Sequence, residues 1–172
     1  EHRWLHENKN KKKKIKKLKL IKSKICVKGT HITIVGTSYL TIESIRAAKF
    51  LKKHYNISAE VIDLISIKPL DLNTIIKSVR KTKNLIVADT GFYTGSIASD
   101  IIYDVMNYNK NITKSHPKKI AMPDVPEPTS YGLTKNFYVR ANKIVDEVLK
   151  ILKFKKKKNI FINESFPHDV PG

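Results

Sequence analysis

Asp89 stands where an apolar run stops. Leu85 to Ala88 is the right length for one buried strand, and it gives way to Asp89-Thr90-Gly91-Phe92-Tyr93-Thr94-Gly95-Ser96, a polar loop with two glycines, before a helical pattern resumes. The order strand, loop, helix puts Asp89, Thr90 and Thr94 at the carboxyl end of a strand, where open α/β sheets keep their crevices. Asp63 and Asp71 also lie at or just beyond a strand end, so all three carboxylates can line one sheet edge. Two carboxylates in one crevice divide into an acid and a base when burial separates their pKa values. Aspartates here also cap turns and helices, with glycine allowing tight backbone, and capping is the expected role of at least two of the three.

Other reactive side chains are scattered. None of His2, His6, His31, His54, His116 and His168 stands within four residues of a second metal-ligand type on a predicted helix, so a metal site has to be assembled across the fold. There is no phosphate-binding Walker loop, no Gly-x-Gly-x-x-Gly, no His-Glu-x-x-His and no Gly-x-Ser-x-Gly. Pro123-Asp124-Val125-Pro126-Glu127-Pro128-Thr129-Ser130 is too proline-rich for helix or strand. Its extended backbone is ordered in advance at little entropic cost, which suits a segment lying across a neighbouring subunit and equally a stiff surface connection.

The elements that must position these residues follow from periodicity. A strand is expected near Ser23 to Val27 and another over His31 to Val35, with Gly36-Thr37-Ser38 turning into a helix from about Leu40 to Tyr55. In that helix Ile42, Ile45, Ala48 and either Lys49 or Leu51 form the predicted apolar face. Val61 to Leu64 reads as a strand, Lys68-Pro69-Leu70-Asp71 as a turn, and Leu72 to Thr82 as a helix that Asp71 can cap. After the Leu85 to Ala88 strand come a helix from Ile97 to Tyr108, a strand from Lys119 to Met122 and a closing helix from Ala141 to Leu152. Alternating strands and helices predict an α/β fold, a three-layer α/β/α arrangement around a mainly parallel sheet of about five strands.

Composition sets the remaining bounds. The chain has 172 residues, near the size of one domain, and a formal net charge of +19. That charge is concentrated at the ends: twelve of the 34 Lys and Arg residues lie between Arg3 and Lys28, and five more fall between Lys153 and Lys158. Thirty of the 34 are lysine. A dedicated nucleic-acid binder calls for arginines with interleaved aromatics, so Lys11 to Lys14 and Lys155 to Lys158 read as solvated flexible segments, and nucleic acid is not expected as a partner beyond nonspecific, salt-sensitive binding. Cys26 is the single cysteine, which excludes an internal disulfide and favours a reducing compartment, by default the cytoplasm. No apolar run approaches the ~20 residues of a membrane-spanning helix, and no membrane partner is expected. The abrupt start at Glu1 and end at Gly172 suggest a piece of a longer polypeptide.

Five stretches, taken in order and spacing, resemble one family. They are Ile32 to Ser38, Val61 to Leu64 with Lys68 to Asp71, Val87 to Gly91, Pro123 to Pro126, and Pro128 to Ser130. Together they are similar to the C-terminal domain of transketolase-like proteins, above all the beta subunit of the thiamine-diphosphate-dependent 2-oxoacid dehydrogenases, the E1 component of pyruvate and branched-chain complexes. The resemblance implies a C-terminal assembly and interface domain in an enzyme whose thiamine diphosphate and Mg lie mainly outside this chain. It implies as partners an E1 alpha subunit or fused alpha region, a second beta subunit in a heterotetramer, and the lipoyl-acyltransferase (E2) core. No catalytic, cofactor or metal residue carries over, and the chain alone is expected to be inactive. The candidate interface or sheet-edge residues are Asp63, Asp89, Thr90, Pro123, Asp124, Pro126, Pro128 and Thr129.

On this reading residues 1–22 are a basic linker from a preceding pyrimidine-binding domain, 23–152 the transketolase C-terminal-like domain, and 153–172 a Lys-rich tail. The chain departs from the family in the lysine run Lys9 to Lys17, in Phe92-Tyr93 where a tryptophan is common, and in the tail after Lys158. Two other readings stay open: the C-terminal domain of a transketolase or deoxyxylulose-phosphate synthase-like enzyme, and a noncatalytic basic module for polyanions.

Overall fold

The computed structural model describes residues 22–158 and 160–162. The Lys9 to Lys17 run, His2, His6 and His168 lie outside the described residues.

Five strands form one sheet in the order β1-β3-β2-β4-β5: β1 (Lys24–Val27), β2 (Ile32–Gly36), β3 (Ala59–Asp63), β4 (Leu85–Phe92) and β5 (Lys118–Met122). Only β1 runs antiparallel, against β3; the β2–β3, β2–β4 and β4–β5 pairs are parallel. The central strands read as near-continuous apolar runs because both faces are covered. Alternate side chains divide between two cores. Ile32, Ile34, Val61, Ile86 and Ala88 face α1 (Tyr39–Tyr55) and α5 (Ala141–Ile151), while Val35, Ile62, Leu85 and Val87 face α2 (Leu72–Thr82) and α3 (Ile97–Tyr108). The expected three-layer α/β/α arrangement is therefore present.

Helix α2 spans the residues its pattern predicts. Asp71 caps it, accepting the Thr74 N–H at 3.3 Å and the Thr74 hydroxyl at 2.7 Å, and it also takes the Ser23 N–H at 3.0 Å, tying the start of β1 to α2. Burial pushes the Asp71 carboxyl up, but these hydrogen bonds and the Lys22 charge outweigh it and leave its pKa lowered.

Four features differ from expectation. Strand β4 does not stop at Asp89 but continues to Phe92, because pairing with β5 resumes there: Ala88 faces Ile120 and Phe92 faces Met122, so four steps along β4 match two along β5. The bulge that absorbs the surplus lies between Ala88 and Phe92 and holds Asp89 to Gly91. Of the two loop glycines, only Gly95 is left-handed, at φ 75°. Gly91 instead makes room for a neighbour, since a Cβ there would meet the Asp89 carboxylate at 3.1 Å.

The second difference is the buried face of α1, which is Leu40, Thr41, Glu43, Ser44, Ala47, Ala48, Leu51 and Tyr55, with Ile42 and Ile45 only half-buried beside it. The helix is covered by the sheet and also by α5, so its buried arc is wider than one stripe. Glu43 lies inside that arc with its charge answered: Oε2 accepts the Ala141 N–H at 2.7 Å, and Oε1 accepts from Arg46 at 2.7 Å. The third difference is α4 (Tyr131–Phe137), a short helix after the proline segment that carries too few apolar repeats to announce itself. Between Met122 and α4 the chain forms neither helix nor strand, as the prolines require.

The tail also departs from a solvated segment. Helix α5 ends in a Schellman turn on left-handed Lys153, with Phe154 N–H donating to Leu149 C=O at 2.9 Å and Lys153 N–H to Lys150 C=O at 3.2 Å. The chain then runs back along α1 and α5. Lys157 N–H donates to the Tyr55 hydroxyl at 3.0 Å, and Ile162 exchanges two hydrogen bonds with the Asn142 amide, at 3.1 and 3.2 Å.

Candidate interface at the carboxyl edge of the sheet

The carboxyl ends of β2, β3 and β4 meet at one edge, where Thr37, Ser38, Asp63, Leu64, Ile65, Ile67, Asp89 and Thr90, with Lys24, line an open depression of about 550 Å³. Gly36 makes that convergence possible, because a Cβ on it would meet the backbone of Thr41 at 2.8 Å as the first turn of α1 crosses the strand end. Asp63, Asp89 and Thr90 all line this depression. Asp71 does not; it serves as the cap described above.

The two edge carboxylates are engaged rather than poised as an acid and a base. Asp89 is buried and accepts the Thr37 hydroxyl at 2.9 Å on one oxygen and the Ser96 hydroxyl at 2.8 Å on the other. Ser96 in turn caps α3 by accepting the Ala98 N–H at 3.1 Å, and Thr37 Oγ1 accepts the Thr90 N–H at 3.3 Å. Asp63 accepts the Thr41 hydroxyl at 2.8 Å. Asp89 therefore locks the strand-to-helix turn of β4 onto that of β2, which fixes the shape of the edge.

Beyond the bulge the edge becomes apolar. Phe92, Tyr93 and Val125 are 43%, 49% and 52% exposed, on two segments that the Thr94–Asp124 bonds hold side by side, and with the prolines they make an apolar ledge. Thr94 pins the proline segment to this ledge, donating its N–H at 2.8 Å and its hydroxyl at 2.7 Å to Asp124. Those two bonds, with the Lys119 charge, hold the Asp124 carboxyl below its ordinary range. Lys119 donates to the Tyr93 carbonyl at 2.6 Å and to Ser99 at 2.8 Å, and its ammonium sits 3.9 Å from the Tyr93 ring centre. At the far end the Tyr138 hydroxyl donates to Glu127. Pro123, Asp124, Pro126 and Thr129 are exposed and Pro128 half-buried along this stretch. Sequence reasoning does not single out Lys119 and Val125 as part of the edge; their signal, an apolar residue between prolines and a lysine opening an edge strand, is too common to be read alone.

Much of the donor set at this edge is already committed, and its two aspartates oppose a diphosphate group. The side-chain hydroxyls of Thr37, Thr94 and Ser96 are spent on carboxylates, as is the Thr94 N–H, and two aspartates face the depression. Among the described residues no group of three His, Cys, Asp or Glu side chains could hold a metal ion. His31 accepts the Ser58 N–H on Nδ1 at 3.0 Å, and the His54 ring lies 4.5 Å from that of Phe50.

The sequence profile of the transketolase C-terminal domain matches residues 22–144, most of the chain and all five strands. The chain belongs to that family. Among its relatives, the mitochondrial pyruvate dehydrogenase E1 component subunit beta of Chaetomium thermophilum is 37% identical over 132 residues, covering 77% of this chain and 35% of the relative. The corresponding subunit of Cyanidium caldarium is 33% identical over 138 residues, covering 80% of this chain and 42% of the relative. Among solved structures, a split gene transketolase described as an inactive beta4 tetramer superposes with a TM-score of 0.65 at 26% identity, over 78% of this chain and 42% of that one. This transketolase C-terminal domain chain thus spans about two fifths of the length of the proteins it matches.

Proposed function

We propose that this chain is the C-terminal assembly domain of the beta subunit of a 2-oxoacid dehydrogenase E1 component. The carrying observation is the apolar ledge of Phe92, Tyr93 and Val125, with its proline segment fastened to the fold at Asp124. A ledge whose backbone is already ordered loses little conformational entropy when a partner covers it. Its exposed Phe and Tyr are residue types that concentrate binding energy at interface centres. The identity to pyruvate dehydrogenase beta subunits supports the choice of parent enzyme.

On this reading the parent decarboxylates pyruvate or a branched-chain 2-oxoacid and transfers the acyl group to a lipoyl carrier. Thiamine diphosphate supplies the electron sink for that chemistry when bound, with Mg, in regions outside this chain. The residues here hold subunits: an alpha subunit, a second beta subunit in a heterotetramer, and the lipoyl-acyltransferase core. Residues 1–22 act as the linker, 23–152 as the assembly domain and 153–172 as a basic tail. The unpaired, half-buried Cys26 suits a reducing compartment such as the cytoplasm, and the Chaetomium thermophilum relative is mitochondrial.

The test is to purify the native protein from its source and weigh the intact chain and its companions. A longer polypeptide accompanied by an alpha subunit and a lipoyl-bearing acyltransferase is expected. A free chain of this length without those companions, or 2-oxoacid decarboxylation by the chain alone, overturns the assignment.

A further inference from the structure

Lys157 is the point at which the tail becomes part of the folded surface. Its N–H reaches the Tyr55 hydroxyl, and its ammonium donates to the His54 carbonyl at 2.7 Å, answering the carboxyl end of α1. Lys156 pairs with Asp146 on α5 at 2.7 Å. Glu147, the other acid of that helix, is held by Lys150 at 2.7 Å and Lys118 at 3.8 Å. With Ile162 packed against the core and Lys157 bonded to the end of α1, residues 154–158 and 160–162 form a strap over the protein.

The strap and the end of α1 that it adjoins carry both basic and apolar exposed side chains. Lys155 and Lys158 on the strap and Lys49, Lys52 and Lys53 on the adjoining end of α1 are exposed, and none of the five has an ion-pair partner among the described residues. Phe154 and Phe161 are 46% and 66% exposed on the same strap, and the Lys156 ammonium stands 5.8 Å from the Phe161 ring centre.

We propose that this face is a docking surface for an anionic lipid bilayer. Lysine ammoniums act as point charges that need no particular geometry, so they add up on a surface of many mobile phosphate and carboxylate headgroups. Exposed phenylalanines beside them enter the boundary between headgroups and acyl chains. A nucleic-acid groove calls instead for arginine forks and aromatics spaced for successive bases, and this face has no arginine on the strap. Composition alone gives no membrane partner, because no described helix is long and apolar enough to cross a bilayer; adsorption at the surface requires only that the fold gather lysines and phenylalanines on one side.

The test uses the full chain with the lysines of 9–17 replaced by glutamine, so that binding through that run is removed. Sedimentation is measured with sucrose-loaded vesicles of phosphatidylcholine alone and with phosphatidylserine added at about a third. Binding to the anionic vesicles only is expected, with loss at high salt. Each lysine near such a surface contributes about fivefold, so adding Lys49→Gln, Lys53→Gln, Lys155→Gln and Lys158→Gln should weaken partitioning by at least ~50-fold. In a separate variant, Phe154→Ser with Phe161→Ser should weaken it several-fold at unchanged charge. Circular dichroism melts confirm that both variants stay folded. No vesicle binding, equal binding to neutral vesicles, indifference to both sets of substitutions, or binding to a single-stranded RNA oligonucleotide in place of vesicles each overturns the proposal.

Discussion

Removing the Glu43 carboxylate should loosen the joint between α1 and α5 far more than a surface glutamate would suggest. Glu43 is 4% exposed, and its Oε2 accepts the N–H of Ala141, a residue with no exposure at the first turn of α5. That N–H is one of the donors a helix start leaves without an internal partner, and here a side chain 98 residues away supplies the acceptor. Glu43→Ala strands it in a dry site, which costs about 1–3 kcal/mol. The Arg46 guanidinium, whose side chain is 22% exposed, loses a carboxylate at 2.7 Å, which after solvent screening adds about 1 kcal/mol. The sum is roughly 3 kcal/mol, and at 2–4 °C per kcal/mol for a chain of this size Tm should fall by about 6–12 °C. Glu43→Gln keeps a carbonyl oxygen for Ala141 and gives up only the charge, so its Tm should fall by about 2–4 °C. Calorimetry of both variants at pH 7 measures the difference. Equal Tm values for the two, or a fall of under about 2 °C for Glu43→Ala, refute the buried-acceptor account.

Two further outcomes follow from the same kind of geometry. Glu60 is 1% exposed in β3; burial pushes its carboxyl up, but hydrogen bonds from Lys81, Ser78 and the Gly29 N–H, with the Lys81 charge, leave its pKa below the ordinary 4.5. A lowered folded-state pKa gives stability that is fully present above the unfolded value and lost as pH falls through the folded one, and Asp71 acts in the same direction. Urea midpoints should therefore drop steeply below about pH 4.5 in the wild type and less steeply in Glu60→Gln; parallel profiles would exclude Glu60 as a source. Gly36→Ala drives a Cβ to 2.8 Å from the Thr41 backbone, where no flexible side chain can yield, and should cost about 1–3 kcal/mol. Gly132→Ala in α4, whose Cβ meets nothing within 4 Å, should be neutral or stabilising, and a Gly36→Ala melt no lower than that control would count against the close approach.

What can be read from the sequence is whatever depends on neighbours along the chain. The spans of α2 and α3, the Asp71 cap and the irregular proline stretch are local: each follows from a helical period, a capping residue or a missing N–H. What cannot be read depends on residues that meet only after folding. Glu43 and Glu60 interrupt apolar positions and so look like surface charges, because their partners Ala141 and Gly29 are 98 and 31 residues distant. The β4 strand looks finished at Asp89 because polar residues begin there, but β5 supplies pairing that polarity does not forbid. The candidate interface has the same character. Asp124 is visible in sequence as part of a proline segment, and its function as an anchor requires Thr94, 30 residues earlier, to be delivered beside it by the bulge. If the bulge is what aligns them, the ledge is a property of the β4–β5 pair and not of the prolines. Its shape should then survive changes in Pro126 more readily than a change that removes Thr94's two donors to Asp124.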